Sequence, residues 1–502
     1  VAVGGRWFWV LLVLLGGVYA ALAAWTPIHD DELYYWCWSK ELQLSYFDHP
    51  PLTALMIRAS TELLGDSVFA IRLPAVVATL VVLGVVGWLT RPRGILLATV
   101  LTPMFTFGGV MITPDTPLLL FWSLYLAWLV GVHQRLTPED GSEGNVAWWW
   151  WGVGGVILGI GILGKYTTGL AVPAGLLSFA LTGQSTLRRW AWRYAAHLGV
   201  AFLVGSPILI YNFQHGFEPL LFQWKHANQT KSGGLQPFGE FVGVQVLLTG
   251  ALPLLLWPWL LWRFRTLVAD PRLRVCACLY GLPTAFFTAK SITGPLEANW
   301  AMASYLAFWP IAARWFTAVD ALPWLWRMVG KWGGRLTFLA PAVSVGFLGA
   351  HMVHPLPVVP ANNDRISRMP ERQRMAAELH AFLKAQGQPI PLFTPEYQTV
   401  ALLRFNGVLA EQEPDLTLRP SHFTQAGRRM TDHDAVYYFS NYPPPPEHIE
   451  GFAPPKRLND NLVKEFPLVV RGEVYDTYKL WLYRKPSPTP PDSRVSAVGP
   501  RP

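Results

Sequence analysis

Residues 68–90 read VFAIRLPAVVATLVVLGVVGWLT and contain a single ionisable side chain, Arg72. At ~1.5 Å rise per residue such a helix spans the ~30 Å hydrocarbon core of a bilayer. The same reading applies to apolar runs at 7–25, 94–112, 116–132, 147–164, 168–182, 194–212, 241–262, 274–290, 299–316 and 336–354. The pattern therefore predicts a polytopic α-helical membrane protein with about eleven transmembrane helices. The segment 52–64 is apolar but too short to span, and its Arg58 and Glu62 place it at the interface. The run at 7–25 is long for a signal peptide and is read as an uncleaved first span.

Composition agrees with a membrane protein. The chain is 52% hydrophobic and only 14% Asp, Glu, Lys or Arg, against about 25% charged in soluble proteins. An ordinary soluble enzyme is excluded on that ground. The net charge of +8 lies in loops rather than on one folded face, which removes nucleic acid as a partner. Three cysteines make no disulfide framework. Cys276 and Cys278 sit in an apolar run as small buried residues, and Cys37 stands alone.

The basic residues set an orientation. With a cytoplasmic N-terminus, Arg91, Arg93, Arg135, Arg188, Arg189, Arg193, Arg263, Arg265, Arg272, Arg274, Arg314, Arg327, Lys331 and Arg335 fall inside. The opposite loops carry only Lys40, Arg58, Lys165, Lys225, Lys231 and Lys290, as the positive-inside rule requires. Residues 1–354 then form the transmembrane domain, and a soluble α/β domain at 355–485 lies on the outer side. Within it, 370–386 reads as an amphipathic helix ending before Gly387, and 400–405, 435–439 and 475–483 read as strands. The Pro- and Ser-rich tail, 486–502, reads as disordered. No internal repeat of the transporter kind is present.

Polar residues gather on the outer side. The first outer loop holds His29, Asp30, Asp31 and Glu32, then Tyr34, Tyr35, Asp48 and His49; two tight turns hold Asp115 and Lys165. Later loops hold Asn212, His215, Glu218, Lys225 and His226, and then Lys290, Glu297 and Asn299. Charge at that depth is costly unless it pairs or faces a wet cavity, so the set is a candidate site. For each residue alone the competing account is a solvated loop charge or a helix cap, and Asp48 has the further account of bracing the Pro50-Pro51 turn. Asp31 and Glu32 offer a general base; Lys165, His49 and Arg72 offer cations for a phosphate. Asp115 either holds the acceptor or joins Asp31 in binding a hard divalent cation, Mg²⁺ or Mn²⁺, which this pattern leaves optional. Together they describe group transfer from a phosphate-bearing donor. No Gly-rich phosphate loop, GxSxG or HExxH occurs in a supporting context. The 25 tryptophans read mainly as interfacial anchors, with Trp36 and Trp300 the candidates for sugar stacking.

In order along the chain, Asp31-Glu32-Leu33-Tyr34-Tyr35, Tyr46-Phe47-Asp48-His49-Pro50-Pro51-Leu52, Gly65-Asp66 with Arg72-Leu73-Pro74, Thr113-Pro114-Asp115-Thr116-Pro117-Leu118, Gly161-Ile162-Leu163-Gly164-Lys165-Tyr166, Asn212-Phe213-Gln214-His215-Gly216 and Glu297-Ala298-Asn299-Trp300 resemble the bacterial dolichyl-phosphate-mannose-protein mannosyltransferase-like family. Its members are glycosyltransferases of GT-C fold, related to the aminoarabinose transferase that modifies lipid A. The resemblance runs over residues 7–310 and is weak in the soluble domain.

It implies transfer of a sugar from a polyprenyl-phosphate donor to a periplasmic glycolipid or protein acceptor, in the inner membrane, by inverting displacement. By the same resemblance Asp31 is the base or acceptor-positioning carboxylate, with Glu32 beside it, Asp115 is the second acidic residue, and Lys165 contacts the donor phosphate. His49 stands where the aminoarabinose branch has Lys, so its contribution should depend on pH near neutrality. Tyr34, Tyr35, Asp48, His215, Glu297 and Asn299 complete the expected substrate site. A lipid-linked sugar flippase and a non-catalytic envelope scaffold are the rival readings. A flippase predicts coupling residues at mid-membrane, and a scaffold leaves the gathering of Asp31, Asp115 and Lys165 unexplained.

Overall fold

Hydrocarbon offers no partner to backbone N–H and C=O groups, so an apolar run must close its hydrogen bonds within a helix. The run at 68–90 does so as one helix, Val68–Thr90, and the short interfacial segment forms Leu52–Leu64. The computed structural model describes residues 3–90, 108–137, 145–182, 184–228, 234–360, 364, 366–417, 419–442, 452 and 460–486. Two units divide the chain, residues 1–356 and 357–502.

Among the described residues of the first unit, four helices are long and apolar enough to cross a membrane: Phe8–Trp25, Val68–Thr90, Asp115–Leu136 and Trp324–Val353. Two bent pairs raise that number to six: Trp190–Gly205 with Pro207–Gln214 at 49°, and Leu235–Thr249 with Leu252–Trp262 at 117°. Several of the eleven expected spans take other forms. Most of 94–112 lies outside the described residues. The run 168–182 splits into a 3₁₀ turn, Tyr166–Leu170, and a short helix, Ala171–Ala180. The run 299–316 is half 3₁₀, Ala298–Ala307, and half α-helix, Phe308–Ala318. The helix over 274–290, Pro271–Ser291, begins with Arg272 and Arg274 inside it. Hydropathy is blind to such breaks because it counts side chains and not backbone turns.

Two glycine features shape this unit. Gly250 has φ +82°, and a β-carbon there would lie 2.6 Å from Thr337 Cα; the sharp bend at this point needs glycine. Thr337 Oγ1 then accepts the Leu252 N–H at 2.7 Å, capping the helix that restarts after the bend. Gly155 and Gly159 let Trp148–Gly164 approach Gln184–Gly205, since β-carbons there would meet His197 O at 2.6 Å and Ala201 O at 2.7 Å. The core around them is aromatic, with Trp122, Tyr125, Trp151, Tyr280 and Trp315 buried. Two histidines buried there have protein partners: His133 Nε2 meets Ser178 Oγ at 2.9 Å, and His197 Nε2 meets Tyr125 OH at 3.2 Å.

The second unit carries a five-stranded sheet of order β2-β1-β3-β5-β4. Its strands are β1 Leu392–Thr394, β2 Ala410–Gln412, β3 Ala435–Ser440, β4 Leu462–Val470 and β5 Glu473–Arg484. β1 pairs parallel with β2 and β3, while β5 pairs antiparallel with β3 and β4. The amphipathic helix appears as Arg368–Gln386, and the strands expected at 435–439 and 475–483 are β3 and β5. The strand expected at 400–405 is instead a helix, Tyr397–Phe405. A short apolar run has no period of its own and takes the form its packing demands; here residues 399–403 are all buried. Of the expected disordered tail, 487–502 lies outside the described residues.

Candidate functional site

The helix Asp30–Lys40 starts with three acidic residues in its first turn, favoured there by the helix dipole. His29 caps it: His29 Nδ1 accepts the Asp31 N–H at 3.2 Å, and Glu32 Oε2 accepts the His29 N–H at 3.0 Å. Glu32 is fully buried and receives a two-pronged bond from Arg72, Nε to Oε1 at 2.8 Å and Nη2 to Oε2 at 2.6 Å. Arg72, 1% exposed, spends its other N–H groups on Thr26 O at 2.8 Å, Thr26 Oγ1 at 2.7 Å and Pro27 O at 2.7 Å. Glu32 Oε1 also accepts the Ile112 N–H at 3.1 Å.

This corrects two expectations. Glu32 has no access to a substrate proton, and Arg72 has no donor left for a phosphate. Both are spent on a clamp that joins the end of the first helix, the start of Asp30–Lys40, the helix Val68–Thr90 and the segment leading to Asp115. Asp31 differs from its neighbour, with 35% of its side chain exposed and His29 Nδ1 at 3.6 Å.

Asp115 and Lys165 meet. Asp115 opens the helix Asp115–Leu136, and Lys165 follows the last turn of Trp148–Gly164. Lys165 Nζ donates to Asp115 Oδ1 at 2.6 Å, and Asn299 Nδ2 donates to Asp115 Oδ2 at 2.6 Å. Asp115 is 8% exposed and Lys165 6%. Three distant segments thus converge on one carboxylate. Asn299 is itself positioned through Gln245, whose Nε2 donates to Ala298 O at 2.9 Å. Gln245 has no sequence signal, because a lone glutamine in an apolar run reads as a tolerated polar residue.

The loop 41–51 is a second focus. Tyr34 donates to Asp48 Oδ2 at 2.5 Å, and Gln223 Nε2 donates to Asp48 O at 2.5 Å. Asp48 is buried, so its carboxylate serves the Tyr34 phenol as a brace. Tyr46 donates to Trp38 O at 2.8 Å and stacks on Trp38 with centroids 4.5 Å apart. Burial pushes its phenol up to about 12, with the Gln43 backbone hydrogen bond acting in the opposite sense, so it remains a neutral donor. His49 is held at its backbone, where its carbonyl accepts the Tyr46 N–H at 3.1 Å. Its ring lies 6.3 Å from that of Tyr35 and 6.5 Å from that of Trp38.

The remaining expectations separate. His215 caps its own helix, with Nδ1 2.8 Å from Tyr211 O and its ring 4.0 Å from the Tyr211 ring. Glu297 is exposed at the start of the 3₁₀ segment. Trp36 donates to Asp66 Oδ1 at 2.9 Å beside Lys40 Nζ at 2.5 Å. Burial alone would raise the Asp66 carboxyl, but the Lys40 and Trp36 hydrogen bonds prevail and hold it below its ordinary value of 3.8. Trp300 lies against His226 at 6.3 Å and Phe287 at 6.3 Å, next to Asn299. Gln223 and His226 belong to a helix, Glu218–Ala227, in a loop where sequence alone carries no code.

The donor set does not fit a divalent metal. Both oxygens of Asp115 are occupied, one by an ammonium and one by an amide N–H, and the charge a metal would supply is already supplied by Lys165. Among the described residues no group of three His, Cys, Asp or Glu side chains could hold a metal ion.

Comparison with known proteins bears on this arrangement. Residues 48–211 match the dolichyl-phosphate-mannose-protein mannosyltransferase family. The chain is 29% identical over 305 residues to the lipid A galacturonosyltransferase RgtD of Rhizobium johnstonii, an alignment spanning 58% of this chain and 62% of that protein. The structure superposes on ArnT from Cupriavidus metallidurans in the apo state with TM-score 0.60 at 15% identity, covering 95% of this chain and 98% of that one. The undecaprenyl phosphate-bound form of the same protein gives TM-score 0.62 at 16% identity, with the same coverage. The fold is therefore that of ArnT, the GT-C architecture expected from the sequence.

Proposed function

We propose that this chain is an integral membrane glycosyltransferase that moves a sugar from a polyprenyl-phosphate donor to a lipid A-type glycolipid. The observation that carries this reading is the buried convergence of Lys165 and Asn299 on Asp115, at 2.6 Å each. A lysine fixed by a carboxylate keeps two of its three N–H donors for other acceptors, which suits the oxygens of a lipid phosphate. The named relative acts on lipid A, and the solved ArnT complex holds undecaprenyl phosphate; both support the donor and acceptor classes.

In the reaction we infer, the acceptor hydroxyl loses its proton to Asp31 as its oxygen attacks the anomeric carbon. The bond from that carbon to the phosphate oxygen breaks, the configuration inverts, and the polyprenyl phosphate leaves with the electron pair. Asp31 suits the base role because its carboxylate is partly open while Glu32 is locked to Arg72. Lys165, with His49 as a second cation, balances the charge that grows on the leaving phosphate, where a preorganised cation acts most strongly. Asp115 and Asn299 hold Lys165 in place for that step. The loop charge bias supports an N-terminus in the cytoplasm and a site that opens to the periplasm.

The test is transfer from a radiolabelled polyprenyl-phosphate sugar pool in membranes by wild type, Asp31→Asn and Lys165→Ala. Loss in both variants at normal expression supports lipid-phosphate glycosyl transfer. Unchanged transfer in both removes the assignment and brings flipping or scaffolding forward.

A further inference from the structure

We infer that the helix Glu218–Ala227 lies in the plane of the membrane at the site end of the transmembrane unit, with its apolar face covered by the acyl chains of bilayer lipid. Its sequence, EPLLFQWKHA, divides into two faces. At about 100° per residue, Leu221 and Trp224 share one face, and Phe217 at the start of the helix falls in line with them. Pro219, Phe222, Gln223 and His226 share the opposite face. The first set is exposed, Trp224 at 71%, and the second is buried or half-buried. That inner face touches the site. Phe222 packs on Phe47 with ring centroids 4.8 Å apart, Gln223 Nε2 donates to Asp48 O at 2.5 Å, and the His226 ring lies 6.3 Å from that of Trp300. The contacts that hold this face inward leave Phe217, Leu221 and Trp224 pointing outward.

What covers the outer face follows from the span that leads into it. Trp190–Gly205 and Pro207–Gln214 form one of the bent pairs apolar enough to cross a membrane, and Phe202, Leu203, Leu209, Ile210 and Phe213 along it are exposed. Phe213 meets Phe217 edge-on with centroids 6.4 Å apart, so the exposed apolar surface continues from the span onto the helix. The corner between them is built for that turn. Asn212, fully buried, accepts the Phe217 N–H on its carbonyl at 2.8 Å and the Leu220 N–H on Oδ1 at 3.1 Å. Phe217 has φ +62°, a conformation that a bulky residue keeps only where its surroundings impose it. The Asn212-Phe213-Gln214-His215-Gly216 motif thereby gains a task that the transfer reaction does not give it: it turns a crossing helix into an in-plane one. Amphipathic helices of this kind rest about 5–10 Å into the boundary between headgroups and acyl chains, the level at which tryptophans such as Trp224 collect. The polar flank carries Glu218 and Lys225, one charge of each sign, so apolar burial rather than headgroup charge holds the helix. Seated in this way, it sets the height at which Gln223 and His226 reach the loop 41–51 and Trp300.

The experiment uses the full chain in phosphatidylcholine nanodiscs, and its result does not depend on the transfer reaction. Cys37, Cys276 and Cys278 are buried, so a bimane label attached in detergent to Leu221→Cys or Trp224→Cys reads one position, with the unsubstituted protein as blank. Both positions are exposed, so the substitutions leave the packing intact. A nitroxide near the start of the lipid acyl chain should remove most of the bimane emission at each, and aqueous iodide should remove little. Glu218→Cys and Lys225→Cys, on the exposed polar flank, should show the reverse order. Phe213→Cys, on the span itself, is the positive control for the nitroxide. Quenching by iodide and not by nitroxide at Leu221→Cys and Trp224→Cys would put this face in water and overturn the inference. Protection from both quenchers would mean that protein covers it, from this chain or a second copy, and would overturn it equally.

Discussion

Lys165 and Asp115 lie 50 positions apart in sequence and meet at 2.6 Å, with the second Asp115 oxygen taken by Asn299 at 2.6 Å, 184 positions away. If the lysine neutralises the departing phosphate, Lys165→Ala should lower turnover by about 10²–10³ with a smaller change in KM, because the loss falls on the transition state. Single-turnover transfer at saturating donor reads the split; a pure KM effect would make Lys165 a binding residue only.

Asn299→Ala leaves one Asp115 oxygen without its donor. A hydrogen bond to a charged group contributes roughly 1.5–3 kcal/mol, so transfer should fall about tenfold or more while the protein stays folded. Asn299→Gln, which keeps the amide but moves it, should recover little. Wild-type transfer in Asn299→Ala would detach this residue from the site.

The Glu32–Arg72 clamp should behave as structure. Removing one partner from a buried, multiply bonded pair typically costs about 3–5 kcal/mol, so Arg72→Ala and Glu32→Gln should both lower the thermal midpoint in detergent. Arg72→Lys should rescue little, since an ammonium cannot reproduce the fork. Lost transfer at an unchanged midpoint would return Arg72 to the donor phosphate.

The exposed Lys40–Asp66 pair, at 2.5 Å, sets the contrast. Solvent screens it, and such pairs contribute about 0–1 kcal/mol. Because the folded Asp66 carboxyl is held below 3.8, the stabilisation is present above that pH and is lost as pH falls through the depressed value. Asp66→Asn should therefore leave neutral-pH stability nearly unchanged and remove only a small acid-side slope in a thermal-shift series. A large loss at neutral pH would mean that Trp36 and Asp66 hold the first loop together.

If His49 acts as the second cation of the proposed reaction, transfer should depend on pH. An imidazole carries its charge below roughly pH 6.5 and loses it above, so transfer should decline as pH rises through neutrality. His49→Lys should flatten that decline while keeping the cation. Identical pH profiles for the two proteins would exclude a phosphate contact by His49.

The sequence was informative where chemistry depends on local composition. Uninterrupted apolar runs gave 68–90 its helix, and the shift to charged composition announced a second unit near residue 355. Motif residues marked Asp31, Asp115, Lys165 and Asn299. Interruptions were less legible: the 117° turn at Gly250 depends on a positive φ and on Thr337 from another helix, and hydropathy registers neither. The short run at 400–405 was ambiguous for the same reason, since burial on all sides erases the period that tells strand from helix.

Amino-acid order alone pointed to a membrane chain, by resemblance one of GT-C fold, and to a second unit of more charged composition after it. Only the tertiary structure decided which of those residues remain open to substrate. Glu32 and Asp31 are adjacent and equally acidic, yet one is locked beneath Arg72 and the other partly faces solvent. The difference arises because a buried carboxylate must find its counter-charge, and Glu32 finds it on a helix 40 residues away. The same constraint brings Lys165 and Asn299 to the Asp115 carboxylate, to which no sequence spacing connects them.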